Sequence, residues 1–336
     1  GQALGMRAFA SWALSIALVL CRAAAAEACP ADEALDAVAV DVLLGEAASS
    51  SPEGLRRALA ERGSSAIEAY VFTVRGDDEL RASLARLEAR LGVPLRCGEA
   101  LSDSARITVA VPDAATLWLE GGRVHGRLRP GFDGAHLVYR WEGEAVRVAV
   151  DAVLLARGVA LPAEVLARRP EVQLVAETPH GPRPLARLPG PLPETARFAG
   201  VKDPTELVLA VRAAASAPSV RINALLAREA KEHAAKICAS RHASHDGIFG
   251  DPEARLLARG ISARVVGEAV ARARTLAEAL EALLESPSHR AALEDRRFSD
   301  LGVGVAKHGE STCVVAILAA FPRAVPPSRP PHESLK

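Results

Sequence analysis

The chain has 336 residues, of which 49% are hydrophobic, 24% are charged and only 4% are aromatic. This length allows two or three domains with cores of their own, and the composition is that of a globular protein. The 41 basic side chains equal the 41 acidic ones. A neutral chain lacks the broad cationic surface that binding to a phosphate backbone requires, so nucleic acid is not an expected partner.

Residues 6–26 have the pattern of a secretory signal peptide. A basic start at Arg7 precedes an apolar run over residues 8–20, and alanines follow at 23–26. The run is shorter than the roughly 20 residues that span a bilayer. An N-terminal core helix is the alternative. Since no later stretch reaches spanning length, we expect a secreted or periplasmic protein without a transmembrane segment.

The cysteines support export. Cys21 lies in the signal segment, and Leu20 before it is not the small residue expected at a lipidation site, so a lipoprotein is not expected. Four cysteines remain, an even number that suggests two disulfides in an oxidising compartment. Three pairings are open, and bridges within domains would be Cys29–Cys97 and Cys238–Cys313. Four buried free thiols, the alternative, would fit a cytosolic protein better.

Residues 27–101 are predicted to form a helical segment. Leu35 and Val38 belong to one run of helical spacing, and Leu80, Leu84 and Leu87 to another. Residues 104–190 are predicted to form a β-rich module, because apolar residues then alternate along several short stretches separated by glycine and proline turns. Even spacing of short strands favours a β-sandwich, with an immunoglobulin-like arrangement as one option. We interpret this module as a spacer or adhesion element.

A proline-rich linker at 189–193 leads to a region at 203–322 with helical spacing again. Asp203, Asn223 and Asp251 are predicted helix N-caps, and Thr275 begins a capping box. Two strands are predicted near the end of this region, at Leu301–Val305 and Val314–Phe321. Residues 323–336 contain four prolines, a composition typical of a disordered tail.

Short polar stretches interrupt this last region and carry its motifs. In chain order the motifs are His233-Ala234, Ala243-Ser244-His245-Asp246-Gly247, Gly267-Glu268-Ala269, Ser286-Pro287-Ser288-His289-Arg290 and Gly302-Val303-Gly304-Val305. In order and interval they resemble the signature segments of the bacterial branch of the CAP superfamily. This superfamily of cysteine-rich secretory, antigen 5 and pathogenesis-related proteins is also known by the name SCP domain.

The resemblance implies an α-β-α sandwich with a cleft that holds two histidines and acidic side chains. By position, the cleft residues are His245, His289 and Glu268. The second cleft glutamate of the family falls at Ser286, so its role is absent or passes to Glu285. Ala269, Leu283 and Ser288 replace the usual asparagine, tryptophan and glycine, which predicts an altered floor and rim.

The residue types alone point to metal chemistry. Two imidazoles and a carboxylate, His245, His289 and Glu268, are suitable ligands for Zn²⁺ or another divalent cation. The alternative is that these side chains only bond one another and hold loops in place. His233 lies on an apolar helix face and is interpreted as a core residue.

Three functions are consistent with these features. The first is a secreted binding protein whose cleft recognises a metal, lipid, glycan or cell-envelope component. The second is a metal-assisted hydrolase in which Glu268 acts with His245 and His289, although the sequence contains neither a His-Glu-x-x-His motif nor a Gly-x-Ser-x-Gly motif. The third is a purely structural envelope protein.

Overall fold

The structure, a computed structural model, describes residues 29–45, 52–74, 76–102, 105–177, 183–190, 198, 200–240 and 251–321. Several predicted features lie outside the described residues, namely the signal peptide at 6–26, most of the linker, His245 and the tail at 323–336. They stay predictions.

The chain divides into two compact units. The N-terminal unit comprises Gly1–Ala199 together with Glu281–Ala291, and the C-terminal unit comprises Gly200–Leu280 together with Ala292–Lys336. None of the helices that the structure describes combines the length and the apolar character that crossing a bilayer requires.

The N-terminal unit begins with a three-stranded sheet between helices. The elements are α1 (Glu33–Leu43), α2 (Pro52–Glu61), β1 (Tyr70–Val74), α3 (Asp77–Leu91), β2 (Leu95–Leu101) and β3 (Arg106–Pro112). The central strand β3 pairs antiparallel with β1 and β2. Its Val109 packs in a core with α1 and α2, whereas Ala110 packs with α3. The two faces of one short sheet are therefore both covered.

This arrangement corrects the prediction for residues 27–101. The helical patterns are present as α1 and α3, but the segment is not helical throughout, because β1 and β2 lie within it. Both strands pair with β3, which was assigned to the next module. Both strands are short, and the exposed apolar residues Val71 and Leu101 weaken the alternation of apolar and polar residues by which strands are recognised.

Residues 115–187 form two antiparallel sheets around one core. The strands are β4 (Ala115–Glu120), β5 (Arg123–Leu128), β6 (Asp133–Trp141), β7 (Glu144–Ala149), β8 (Val159–Ala160), β9 (Gln173–Glu177) and β10 (Arg183–Arg187). Two short helices, α4 (Ala152–Arg157) and α5 (Ala163–Leu166), and a 3₁₀ turn lie between them. Leu117 of one sheet and Leu137 of the other are buried in the same core, which confirms the predicted β-sandwich.

The division of strands between the sheets agrees with the immunoglobulin-like option. One sheet has the order β4-β5-β8 and the other β10-β9-β6-β7. In chain order, β4, β5 and β8 are the first, second and fifth strands of the module and form one sheet. The third, fourth, sixth and seventh strands form the other sheet. Immunoglobulin-like sandwiches divide in this way when the fourth strand joins the third.

The described residues from 200 to 321 contain five helices. These are α6 (Pro204–Ala214), α7 (Ala224–Ser240), α8 (Pro252–Leu257), α9 (Leu276–Glu285) and α10 (Pro287–Glu294). Asp203, Asn223 and Asp251 accept hydrogen bonds from backbone N–H groups at the starts of α6, α7 and α8, which confirms the three predicted caps.

One four-stranded sheet forms the frame of the C-terminal unit. Its strands are β11 (Arg221–Ile222), β12 (Val265–Ala273), β13 (Asp300–His308) and β14 (Ser311–Ala320), in the order β11-β13-β14-β12. Ile317 of β14 faces the core that α7 lines, and the neighbouring Ala316 and Leu318 are also fully buried. A sheet covered on both faces is what an α-β-α sandwich requires.

Two glycines of the sequence motifs allow α7 to lie directly on the sheet. A Cβ at Gly302 would meet the backbone of Leu226 and Ala227 at 2.2 Å, and one at Gly304 would meet that of Lys231 at 2.1 Å. The Gly-Val-Gly-Val motif is thus explained by close helix–strand packing.

Both predicted disulfides are present. Cys29 is bonded to Cys97 and Cys238 to Cys313, each with a Cα–Cα distance of 5.7 Å. The first ties the chain before α1 to β2, and the second ties the last turn of α7 to β14.

Two polar stretches that were predicted to interrupt the helices and strands, those of Glu268 and His289, are themselves part of a strand and a helix. Glu268 and its neighbours lie inside β12, because buried Ala269, Val270 and Ala271 continue the strand. Ser286 and Pro287 end α9 as expected, but Pro287 also begins α10, which contains His289.

Candidate functional site

Glu268 lies on β12 and its side chain points toward α7 and α8. Side chains alternate between the faces of a strand, so Glu268 shares its face with Val266 and Val270. Both valines pack in the core that α7 and α8 line. The Glu268 side chain is only 1% exposed.

Two buried side chains meet this carboxylate. Arg255 of α8 donates a hydrogen bond from Nη2 to Oε2 of Glu268. Oε1 of Glu268 lies 3.9 Å from Nε2 of His233 on α7, and His233 is 0% exposed. An unpaired buried carboxylate would be costly, and the guanidinium supplies the counter-charge that burial demands.

The charge network continues outward through Glu229. Nε of Arg255 donates to Oε1 of Glu229 at 3.2 Å, and Arg259 forms an ion pair with the other oxygen. Arg259 also pairs with Glu232 at the surface, where its hydrogen bond lowers the pKa of the Glu232 carboxyl. Each carboxylate on this path contacts a guanidinium.

His233 has the place that the sequence predicted, but the buried Glu229 on the same helix was not predicted to be part of a charge network. Its complete burial confirms that it is a core residue. Glu229 precedes it by one helical turn, and both are buried on the same helix. Two ionisable residues one turn apart on an otherwise apolar face are the signal that could have revealed the network.

The two predicted cleft histidines differ in what the structure describes. His245 lies outside the described residues. His289 lies in the first turn of α10, where its backbone N–H donates to Oγ of Ser286 at 3.4 Å. Their roles in a cleft stay predictions.

Glu285, the alternative second carboxylate, is grouped with the N-terminal unit and makes its contacts there. Its Oε2 accepts a hydrogen bond from Arg187 at 3.4 Å, and its Oε1 lies 3.5 Å from Nε of Arg56. The side chain of Gln173 donates to its backbone oxygen at 3.1 Å. Burial lowers the pKa of the Arg187 guanidinium, and the charge of Glu285 opposes that shift. Glu285 therefore serves as the counter-charge of a buried arginine.

The donor set offers limited support for a metal. Across the ranges that the structure describes, no three His, Cys, Asp or Glu side chains are arranged to hold an ion. Glu268 fits an open metal site poorly, because Arg255 occupies its carboxylate and the side chain is buried. The ligand set of His245, Glu268 and His289 stays a prediction, with Glu268 as its weakest member.

A family model covers the elements that form this network. Residues 205–318 match the model described as CAP, the cysteine-rich secretory protein family. The match begins in α6 and ends in β14, so it spans the sheet, α7 and α8. No curated protein matches the chain.

Several solved structures are similar in part. An outer surface protein of Borrelia burgdorferi is 23% identical, with 35% of this chain and 90% of that chain covered and a TM-score of 0.33. An extracellular SCP-domain protein of Bacillus anthracis is 17% identical, with 62% and 67% covered and a TM-score of 0.31. A cysteine-rich secretory protein of Staphylococcus aureus is 10% identical, with 70% and 91% covered and a TM-score of 0.26.

These TM-scores are too low to identify the fold, so the CAP domain is identified from the family match alone. The sequence motifs fall within or beside the same segment, and Glu268 and Gly302–Val305 lie on strands of its sheet. Residues 205–318 of this chain form a CAP domain.

Proposed function

We propose that this chain is an exported protein whose CAP domain binds a lipid, glycan or cell-envelope component without changing it chemically. Export is supported by the two disulfides, which persist in oxidising compartments, and by the signal-peptide pattern at 6–26. Binding without turnover is supported by Glu268, the predicted catalytic carboxylate, because its side chain is buried and paired with Arg255.

The pairing of Glu268 with Arg255 carries the choice between binding and hydrolysis. A general base must reach the proton that it abstracts and must be able to accept it. Glu268 is 1% exposed and accepts a hydrogen bond from a buried guanidinium. For it to act on a substrate, a buried ion pair would have to break, which typically costs about 3–5 kcal/mol. This geometry argues against the metal-assisted hydrolase.

The cleft histidines then serve recognition. Within this proposal a divalent cation such as Zn²⁺ would be held by His245 and His289 with water, and Glu268 would not be a ligand. Imidazole must be neutral to bind a metal, so such binding weakens in mild acid. If the protein had a purely structural role in the envelope, neither His245 nor His289 would bind a ligand.

One experiment separates binding from turnover. The exported full-length protein is incubated with phosphatidylglycerol vesicles, soluble peptidoglycan fragments and a panel of p-nitrophenyl esters and peptides. We expect retention of vesicles or fragments without product release. Retention should fall about tenfold or more in His245→Ala/His289→Ala and persist in Glu268→Gln. Turnover that Glu268→Gln abolishes and Glu232→Gln preserves would establish the hydrolase instead, and retention of no probe would favour the structural role.

Calorimetric titration with Zn²⁺ tests the metal separately. Binding that persists in Glu268→Gln and disappears in His245→Ala/His289→Ala agrees with the proposal. Binding that survives the loss of both histidines removes them as ligands. The mass of the secreted chain shows whether cleavage occurs near Ala26.

A further inference from the structure

The N-terminal unit contains a cavity of about 580 Å³, and the described residues that line it all belong to this unit. This volume lies within the range of small-molecule sites, roughly 300–1,000 Å³. Its walls come from the loop before β1, the end of α3, the end of β3, the connection between β5 and β6, and the start of β10. The cavity therefore lies where the first sheet of the unit meets the β-sandwich.

The walls are apolar and incompletely covered. The partly buried apolar side chains that line the cavity are Ile67, Leu91, Val93, Phe132 and Leu185. Three prolines also line it, namely Pro112, Pro130 and Pro184. Because proline fixes its backbone φ angle, these wall segments lose little freedom when a ligand binds. The cavity offers apolar surface that a ligand of suitable size would remove from water.

The charged side chains of the cavity are mostly cationic. Arg90, Arg129 and Arg183 line it, and Glu68 is the one acidic residue among the lining residues that the structure describes. Arg183 lies 3.6 Å from Glu68, beyond hydrogen-bond distance. This imbalance favours a negatively charged occupant.

The buried carboxylate nearest to Arg129 does not remove the imbalance. Asp113 accepts a hydrogen bond from Arg129 at 2.7 Å, but it also pairs with Arg96 at 3.1 Å and with Arg127. Asp113 thus faces three guanidinium groups, of which Arg96 also donates to Asp32. The surroundings of the cavity retain an excess of positive charge.

Arg90 is the cation best placed to receive a ligand. Its guanidinium carbon lies 5.4 Å from the centroid of the Tyr70 ring, a cation–π geometry. It donates no hydrogen bond to any residue that the structure describes. Tyr70 is itself held by a hydrogen bond from its hydroxyl to Glu68 at 3.3 Å. The guanidinium is therefore positioned by an aromatic face while its N–H donors remain available.

We propose that this cavity binds a small anionic amphiphile, a carboxylate or phosphate group attached to an apolar body. Arg90 and Arg183 bind the anionic head through charge-assisted hydrogen bonds. The partly buried apolar walls, Phe132 and Leu185 among them, cover the body. The site is distinct from the histidines of the CAP domain and does not depend on the function proposed for them.

Matched ten-carbon probes test the proposal by calorimetry on the full chain. Decanoate, 1-decanol and decyltrimethylammonium share one apolar body and differ in charge, while acetate and inorganic phosphate carry charge without the body. We expect decanoate to bind at one site, with decanol and the cation about tenfold weaker or more. The loss of charged hydrogen bonds in Arg90→Ala/Arg183→Ala should weaken decanoate binding about tenfold or more.

The controls assign the site. Arg147→Ala/Arg157→Ala removes two exposed arginines of the same unit that do not line the cavity, and it should leave the affinity unchanged. His245→Ala/His289→Ala should also leave it unchanged, and loss of binding there would place the amphiphile in the CAP domain. The proposal is overturned by decanol binding as tightly as decanoate, by phosphate binding as tightly as decanoate, by unchanged affinity in the Arg90/Arg183 variant, or by decanoate affinity weaker than about 1 mM.

Discussion

Gly304 of β13 lies so close to Lys231 of α7 that a methyl group on the glycine would meet the Lys231 backbone nitrogen at 2.1 Å. The neighbour is backbone, so it cannot rotate away, and α7 would have to move off the sheet. This single contact sets the distance between the two layers at that point.

Gly304→Ala should therefore destabilise the protein by about 1–3 kcal/mol or more, the usual cost of overpacking. Urea unfolding followed by circular dichroism measures the change. Gly200→Ala is the matched control, because a Cβ at Gly200 has nothing within 4 Å. Equal stability of Gly304→Ala and the parent chain would mean that α7 can shift without loss.

Arg255 and Glu268 should prove energetically coupled. Arg255→Met leaves Glu268 buried without its guanidinium, and we expect a loss of about 3–5 kcal/mol in the free energy of unfolding. Glu268→Gln in the same chain should recover part of that loss, because no buried charge then remains at 268. A double-mutant cycle by urea unfolding measures the coupling. Additive losses in the double variant would show that the two side chains act independently.

Asp300 should contribute a pH-dependent part of the stability. Burial raises the pKa of its carboxyl, but hydrogen bonds from Ser299, Arg221 and Asn223 outweigh this and hold the pKa below its usual value. A carboxyl whose folded pKa is depressed stabilises the fold above its unfolded pKa, about 3.9 for aspartate. That contribution is lost as the pH falls from there through the folded value.

Acidification should therefore reduce the free energy of unfolding less in Asp300→Asn than in the parent chain. Urea unfolding at neutral pH and near pH 3 gives the two differences. Asp203→Asn serves as the control, since asparagine also caps helices and Asp203 is exposed. If the parent chain and Asp300→Asn lost the same free energy of unfolding on acidification, Asp300 would not contribute to the pH dependence.

The two disulfides should stabilise the protein to a similar extent. Their sequence separations are 68 and 75 residues, and the entropy that a bridge removes from the unfolded chain changes little between such loop lengths. Cys29→Ser/Cys97→Ser and Cys238→Ser/Cys313→Ser should each cost about 2–5 kcal/mol. Thermal and urea unfolding of both pairs check this, and thiol titration of the parent chain should detect no free thiol among these four.

Local signals in the sequence predicted the elements that depend on local chemistry. Asp203, Asn223 and Asp251 cap helices where expected, since a cap needs only its own turn. The burial of β1 alternates, but its exposed Val71 is apolar, so the sequence of β1 lacks the alternation of apolar and polar residues that predicts a strand. The sequence predicted a polar interruption at Glu268 instead of a strand. The buried guanidinium that allows a glutamate inside a strand comes from another element, Arg255 of α8.

Relationships between distant residues could not be predicted in this way. Arg187 and Glu285 are 98 positions apart, and no local pattern links a buried arginine to a glutamate at a helix end. The CAP motifs located Glu268 and His289 in the sequence, but motif spacing does not reveal whether a carboxylate is already neutralised. Burial and pairing arise only from the tertiary fold.

The Cys238–Cys313 bridge limits how the C-terminal unit can open. The bridge fixes the last turn of α7 to β14, so this end of the helix cannot leave the sheet while the bridge is intact. A reducing medium would remove the restraint, and the stability of this contact between helix and sheet is thereby linked to the redox potential of the medium.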